Sequence, residues 1–232
     1  MTLPTPSIHT IPITIHGRYS VRLASSDPAG LLVGCHGYAQ SAESFGSDLE
    51  AIPGVERWLL VSVQGLHRFY ARGGAVVASW MTSQDRELMI ADNTAYLRQV
   101  VGQVRAEQAA VLGPSAPLVF LGFSQGVAMA FRAAADHPDD CAGIVALGAD
   151  VPPEVRAATT SLPPVLLGRG TTEEWYTEER MRSDVAWLRS IGTDLTLCEY
   201  AGGHEWTDAF RSAAAAFLTR RAASVPTGEH GK

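Results

Sequence analysis

Ser124 carries the strongest chemical signal in this chain. It is the centre of Gly122-Phe123-Ser124-Gln125-Gly126, a Gly-x-Ser-x-Gly pattern. An apolar run, Pro117–Leu121, leads into it and reads as a buried strand. A helix-forming run, Val127–Ala135, leads away. A serine between strand and helix sits on a sharp, strained turn with its hydroxyl exposed. Gly122 and Gly126 fit that turn because strand and helix approach too closely for side chains. The following helix also directs its N-terminal dipole at the serine, favouring negative charge there. This is the setting of a nucleophile that attacks acyl carbon. A structural turn serine is the blander reading.

A hydroxyl nucleophile needs a general base and a site for the oxyanion. The chain has 7 histidines, and His204 is the best base among them. It lies in Ala201-Gly202-Gly203-His204-Glu205-Trp206, after a strand and before the last helix. His137 ends a helix and reads as a cap, and His67 is a minor competitor on a loop. His36 reads as structural; His9, His16 and His230 lie outside the strand-end group. A carboxylate should hold the imidazole tautomer. Glu173, Glu174 and Asp150 all follow strand ends and all remain candidates. Any one of them is otherwise an exposed loop acid, the commonest fate of such residues. For the oxyanion, two backbone N–H groups are expected. Gln125 follows the nucleophile and supplies one. Tyr38, in His36-Gly37-Tyr38-Ala39-Gln40 after an early strand, supplies the other.

The elements that must carry these residues alternate. Ile11–Ala24 reads as an edge hairpin turning at His16-Gly17-Arg18, by its period of two. Strands are expected at Gly30–Gly34, Trp58–Val63, Gly143–Leu147, Pro164–Leu167 and Leu195–Tyr200, besides the one entering the elbow. Helices are expected at about 86–108, from the elbow to His137-Pro138, and at about 177–190 and 206–221. In the first of these, Leu88, Ala91, Ala95, Leu97, Val101 and Val104 form an apolar stripe. Thr177 is a plausible N-cap. Strands alternating with helices imply a mostly parallel sheet covered on both faces. Active groups in such sheets gather beyond the carboxyl ends of the strands. Tyr38, Ser124, Asp150, Glu173 and His204 all follow strand ends.

Composition narrows the function classes. A chain of 232 residues with 46% hydrophobic content can bury a sizeable core, and residues 1–221 are expected to form one domain. Residues 222–232, small and polar with Pro and Gly, read as a disordered tail. A net charge of −6 argues against a nucleic-acid partner. Cys35, Cys141 and Cys198 are scattered, implying neither a disulfide framework nor a Cys-x-x-Cys metal site. No basic-apolar leader and no run of about 18 apolar residues is present, so the expected location is cytoplasmic, without stable membrane anchoring.

Cys35-His36-Gly37-Tyr38, Gly122-Phe123-Ser124-Gln125-Gly126 and Gly203-His204-Glu205-Trp206 together resemble the phospholipase/carboxylesterase family of α/β-hydrolases. That family includes acyl-protein thioesterases and small bacterial carboxylesterases. The resemblance spans roughly Leu31 to Leu218. It implies an α/β-hydrolase fold with a mostly parallel central sheet, helices on both faces and a serine esterase site. In the family a His-Gly-x-x-Asp segment followed by Val-Pro supplies the acid. Here the matching stretch is Arg169-Gly170-Thr171-Thr172-Glu173-Glu174-Trp175-Tyr176-Thr177, which puts Glu173 on the family's Asp. The chain departs there, with Glu for Asp, Arg169 for His and a second Glu adjoining. The loop after His36-Gly37 also lacks the Gly-Asp that many members carry.

The segment between the Gly143–Leu147 and Pro164–Leu167 strands is too short for the helical cap many lipases place there, so the site should be open. The loop from Gln64 to Asp85, with Phe69, Tyr70, Trp80 and Met81, reads as a local wall for the acyl or alcohol group, or alternatively as ordinary core packing. The expected activity is cleavage of short- to medium-chain carboxylic esters through an acyl-enzyme, on a small-molecule ester, with no metal or organic cofactor. Lysophospholipid or thioester cleavage would use the same machinery. A non-catalytic ligand-binding version of the fold is the rival from another class. No His-x-x-x-His pattern supports a metallohydrolase.

Overall fold

The computed structural model describes residues 6–25 and 27–223. Its centre is a seven-stranded sheet. The strands in chain order are β1 (Arg18–Arg22), β2 (Leu31–Cys35), β3 (Leu59–Gln64), β6 (Leu118–Phe123), β7 (Cys141–Leu147), β8 (Val165–Gly170) and β9 (Leu195–Tyr200). A separate two-stranded hairpin, β4 (His67–Tyr70) and β5 (Val76–Ser79), lies between β3 and β6 in the chain. The order across the sheet is β1-β3-β2-β6-β7-β8-β9. Only β1 is antiparallel to its neighbour; the other pairings are parallel.

The central strands alternate between two apolar layers, as a pleat requires. Leu31, Val33, Leu118, Phe120, Ile144 and Val165 belong to one layer. Leu32, Val119, Leu121, Val145 and Leu166 belong to the other. The first layer is closed by α2 (Arg86–Glu107), α4 (Gln125–Asp136) and α6 (Glu178–Ser190). The second is closed by α1 (Ala42–Glu50) and α7 (Asp208–Ala223). Strands buried on both faces read as continuous apolar runs, which is why the central ones were legible in the sequence. This is an α/β-hydrolase-type sheet with helices on both faces. Between β7 and β8 lies only α5 (Pro153–Ala158); no cap domain is present among the described residues.

Several expectations are corrected. The Ile11–Ala24 hairpin does not form. Only β1 is strand, and it pairs with β3, Arg18 opposite Gln64 through Arg22 opposite Leu60. Gly17 is no turn residue but a flat spot under Tyr96, whose ring would lie 2.1 Å from an added Cβ. The Tyr96 hydroxyl donates to the Arg18 carbonyl at 2.7 Å, fixing the entry to β1. In α2 the expected stripe is half right. Leu97, Val101 and Val104 are buried, but Leu88 is half exposed, and Asn93 is buried instead. The Gln64–Asp85 stretch is not a plain loop, because β4 and β5 pair within it. Helix α1 and the short α3 (Ala109–Leu112) and α5 were not expected. The signal for α1 was present: Ser41 and Ser44 form a reciprocal capping box at its start. Ala222 and Ala223 continue α7, while the rest of the expected tail and His230 lie outside the described residues.

Candidate active site

The elbow has the geometry its sequence predicts. Ser124 links β6 to α4 with φ 52° and ψ −123°, a strained backbone for a residue with a Cβ. Its N–H donates to the Leu147 carbonyl at 2.8 Å, so the β6–β7 ladder runs up to the serine itself. A Cβ on Gly126 would lie 2.0 Å from the Cys35 carbonyl oxygen, and one on Gly122 would lie 2.4 Å from the Gly126 carbonyl oxygen. Both clashes are with backbone, so neither position has room for a side chain. The close packing of α4 against the end of β2 thus depends on glycine.

His204 arrives from the loop after β9. Its ring packs on that of Phe123, the residue before Ser124, with centroids 4.9 Å apart. Trp206 packs on Phe123 from the same loop and also touches Phe45 and Phe210. Apolar contacts thereby seat the histidine loop on the elbow. Gly148, at φ 76°, faces His204, whose Nδ1 would be 3.1 Å from an added Cβ. His204 Nδ1 and Glu173 Oε2 are 2.6 Å apart. The Glu173 side chain is fully buried and that of His204 is 27% exposed. The other carboxyl oxygen of Glu173 accepts from the Trp175 N–H at 2.8 Å. Both oxygens of this buried carboxyl therefore have donors, as a buried charge requires.

The alternative acids are elsewhere. Asp150 is half exposed, with Arg180 at 3.8 Å. Glu174 points to the exposed side of the same loop. The carboxyl against the imidazole is that of Glu173, which fixes an Nδ1–H tautomer and leaves Nε2 as the basic nitrogen.

Around the expected oxyanion position, three of four consecutive backbone N–H groups are engaged. Gly37 N–H donates to Gln40 Oε1 at 2.8 Å, Ala39 N–H to Ala78 O at 3.0 Å, and Gln40 N–H to Gly37 O at 3.3 Å. The Tyr38 N–H has no partner among the described residues. The same holds for the Gln125 N–H, an orphan of the first turn of α4. Two unclaimed donors thus flank the elbow. The Gln40 amide also donates to Asp48, tying the Tyr38 turn to α1. The Tyr38 ring stacks on Phe69 of β4, with centroids 5.4 Å apart.

The substrate wall needs correcting. Trp80 is fully buried; its indole N–H donates to the His36 carbonyl at 2.8 Å and its ring lies 5.1 Å from that of His36. It is a core residue and presents no free face. Met81, expected beside it, is only partly buried and packs against the core. The Gln125 side chain, which the sequence did not single out, holds this stretch. Its Oε1 accepts from Trp80 N–H at 2.8 Å and its Nε2 donates to Met81 O at 2.9 Å. Asn93, likewise missed, donates to the Trp80 and Met89 carbonyls.

His36 has both ring nitrogens on backbone. Nδ1 lies 2.6 Å from Gly37 O, and Nε2 accepts from Gly65 N–H at 2.9 Å. Burial holds its pKa below the usual imidazole range, partly offset by the Gly37 carbonyl. His137 caps α4, with Nδ1 2.8 Å from Ala133 O. A cleft of about 520 Å³ lies between residues 13–17 and α2, but none of the residues discussed as reactive lines it. Among the described residues, no group of three or more His, Cys, Asp or Glu is placed to hold a metal ion. No described helix is long and apolar enough to cross a membrane.

Comparison with known proteins bears on the fold and the family. Residues 16–220 match the model of the phospholipase/carboxylesterase family. Among solved structures, acyl-protein thioesterase 2 of Zea mays superposes with a TM-score of 0.68 at 18% identity, covering 89% of this chain and 100% of that one. A carboxylesterase from Mesorhizobium loti gives 0.71 at 19% identity, covering 88% and 94%. Esterase PE8 gives 0.66 at 25% identity, covering 89% and 99%. No curated protein sequence is a significant match. The elbow, the sheet that carries it and the match along nearly the whole chain lead to one conclusion: this chain belongs to the phospholipase/carboxylesterase family of α/β-hydrolases.

Proposed function

We propose that the protein is a serine carboxylesterase acting on short- to medium-chain esters of small molecules. The observation that carries this reading is the buried Glu173–His204 pair at 2.6 Å, packed through Phe123 onto the strained Ser124 elbow. In the reaction, Ser124 Oγ attacks the ester carbonyl carbon as its proton passes to His204 Nε2. The carbonyl oxygen becomes an oxyanion and accepts hydrogen bonds from the Tyr38 and Gln125 N–H groups. Collapse of the tetrahedral adduct breaks the bond to the alcohol oxygen, which leaves with the proton from Nε2. Water then attacks the acyl-enzyme by the same route, releasing the acid and restoring Ser124. Throughout, Glu173 accepts from Nδ1–H and stabilises the imidazolium that forms. The chemistry is complete without a metal or organic cofactor. We read the described residues through α7 as the one domain that carries it.

The test is hydrolysis of p-nitrophenyl butyrate by the purified protein, with Ser124→Ala alongside. The wild type should hydrolyse the ester and be labelled at Ser124 by a fluorophosphonate. The variant should lose both, with kcat falling on the order of 10⁴ or more. Labelling elsewhere, or activity retained in Ser124→Ala, would refute the reading. Inertness of the wild type to every ester and to the probe would favour the non-catalytic alternative.

A further inference from the structure

We propose that Arg169 is a positioning residue for the Glu173 carboxylate, acting by strapping the loop that carries it; this rests on the role proposed above for Glu173. The loop runs from Thr171 to Thr177. Its first half is stitched to the His204 loop. Thr171 N–H donates to Tyr200 O at 2.8 Å, and the Thr172 N–H and hydroxyl both donate to Gly202 O. Among the described residues, its second half makes no such bond to the His204 side; Thr177 caps α6, and Tyr176 is held by two further bonds. The Tyr176 hydroxyl donates to Asp184 of α6 at 2.7 Å. The Tyr176 carbonyl accepts from Arg169 Nε at 2.9 Å.

Arg169 lies on β8, next to Gly170, whose carbonyl accepts from Glu173 N–H at 3.1 Å. Its side chain is only 8% exposed, and its Nη1 donates to Glu199 of β9 at 3.1 Å. One planar guanidinium therefore closes the loop on itself and ties it to the next strand, a two-direction task suited to arginine's fixed fork. The strap matters for the carboxylate because Trp175, whose N–H binds Glu173 Oε1, immediately precedes Tyr176. Releasing the Tyr176 carbonyl frees the chain next to that donor. It also leaves a buried acceptor unpaired, which favours rearrangement of the loop. The Glu173 side chain is fully buried, and the backbone of this loop carries it to its place against His204.

The experiment is a double-mutant cycle on p-nitrophenyl butyrate hydrolysis, read as kcat and KM separately, with thermal unfolding of every variant. Arg169→Met should lower kcat about 10- to 100-fold with KM changed less than about threefold. Combining it with Glu173→Gln should cost less than about a further threefold, because both changes remove the same function. Glu199→Gln, which spares the bond to Tyr176, should stay within about twofold of wild type. If Arg169→Met is too unstable to assay, Arg169→Gln, too short to reach Tyr176, carries the same cycle. An unchanged kcat in the Arg169 variant, or a fully additive loss in the double variant, would overturn the proposal alone. Full activity of Glu173→Gln by itself would overturn the proposed acid and this proposal with it.

Discussion

His204 Nδ1 and Glu173 Oε2 lie 2.6 Å apart although the residues are 31 positions apart in the chain. Glu173 is shut from solvent while His204 keeps an open side. A charge-assisted contact between a buried carboxylate and a half-open imidazole orients the ring without occupying its outer nitrogen. Glu173→Gln should therefore lose far more kcat than Glu174→Gln or Asp150→Asn. In the serine-protease template, loss of the acid costs up to about 10⁴ in kcat. The two control substitutions touch an exposed loop acid and a half-exposed partner of Arg180. Initial rates of the three variants decide it. A crippling effect confined to Asp150→Asn would move the acid to the loop after β7.

The strain at Ser124 has its own signature. Alanine keeps the Cβ that makes φ 52° costly, whereas glycine removes it. Ser124→Gly should be more stable than Ser124→Ala, by about 1 kcal/mol, the usual scale of such backbone strain. Thermal unfolding of the two inactive variants checks this. A lower Tm for the glycine variant would mean that the elbow is not strained in solution.

Acyl-chain preference should be short. Between β7 and β8 only the six-residue α5 is present, so no cap encloses a chain. Trp80, which the sequence left open as wall or core, lies in the core. Each further methylene gains about 0.8 kcal/mol only while there is surface to bury it against. kcat/KM on a p-nitrophenyl ester series should plateau or fall beyond roughly C4 to C8 on that reasoning. A steady rise to palmitate would reveal a tunnel and shift the reading towards lysophospholipid or acyl-thioester substrates.

The cysteines should be chemically quiet. Burial pushes the Cys141 thiol up to about 12, and the Cys35 thiol is also well above its usual range. Cys198 is half-buried and raised in the same direction by the same cause. The thiolate is the reactive form, so a raised pKa keeps all three protonated and slow at pH 8. Titration with a disulfide reagent should find Cys198 first, and all 3 only after denaturation. Prompt reaction of Cys35 in the native protein would contradict the packing of β2.

The parts legible in the sequence are those encoded locally. Doubly buried strands such as Leu118–Phe123 announce themselves as apolar runs, because both faces of the pleat must be filled. The elbow announces itself because only glycine fits at positions 122 and 126, where backbone meets backbone. Thr177 could be read as a cap because its hydroxyl serves an N–H three residues on, at Arg180.

What the sequence left open was decided by contacts between distant segments. The period of two at Ile11–Ala24 fits a hairpin, but the partner of Arg18–Arg22 is β3, some forty residues on, and Tyr96 of α2 occupies the space over Gly17. Trp80 could have been wall or core; the His36 carbonyl, a backbone acceptor on another strand end, took its indole N–H inward. Three carboxylates were candidates beside His204, and the resemblance of Arg169–Thr177 to the family's acid segment favoured Glu173. Residue type alone does not rank them, since each is a loop acid after a strand. Burial ranks them: Gly170 and Gly202 bring their two loops into backbone contact, which turns Glu173 inward against the imidazole and leaves Glu174 in solvent. Such a choice belongs to the tertiary structure because it depends on the distance between two loops, a quantity no local pattern encodes.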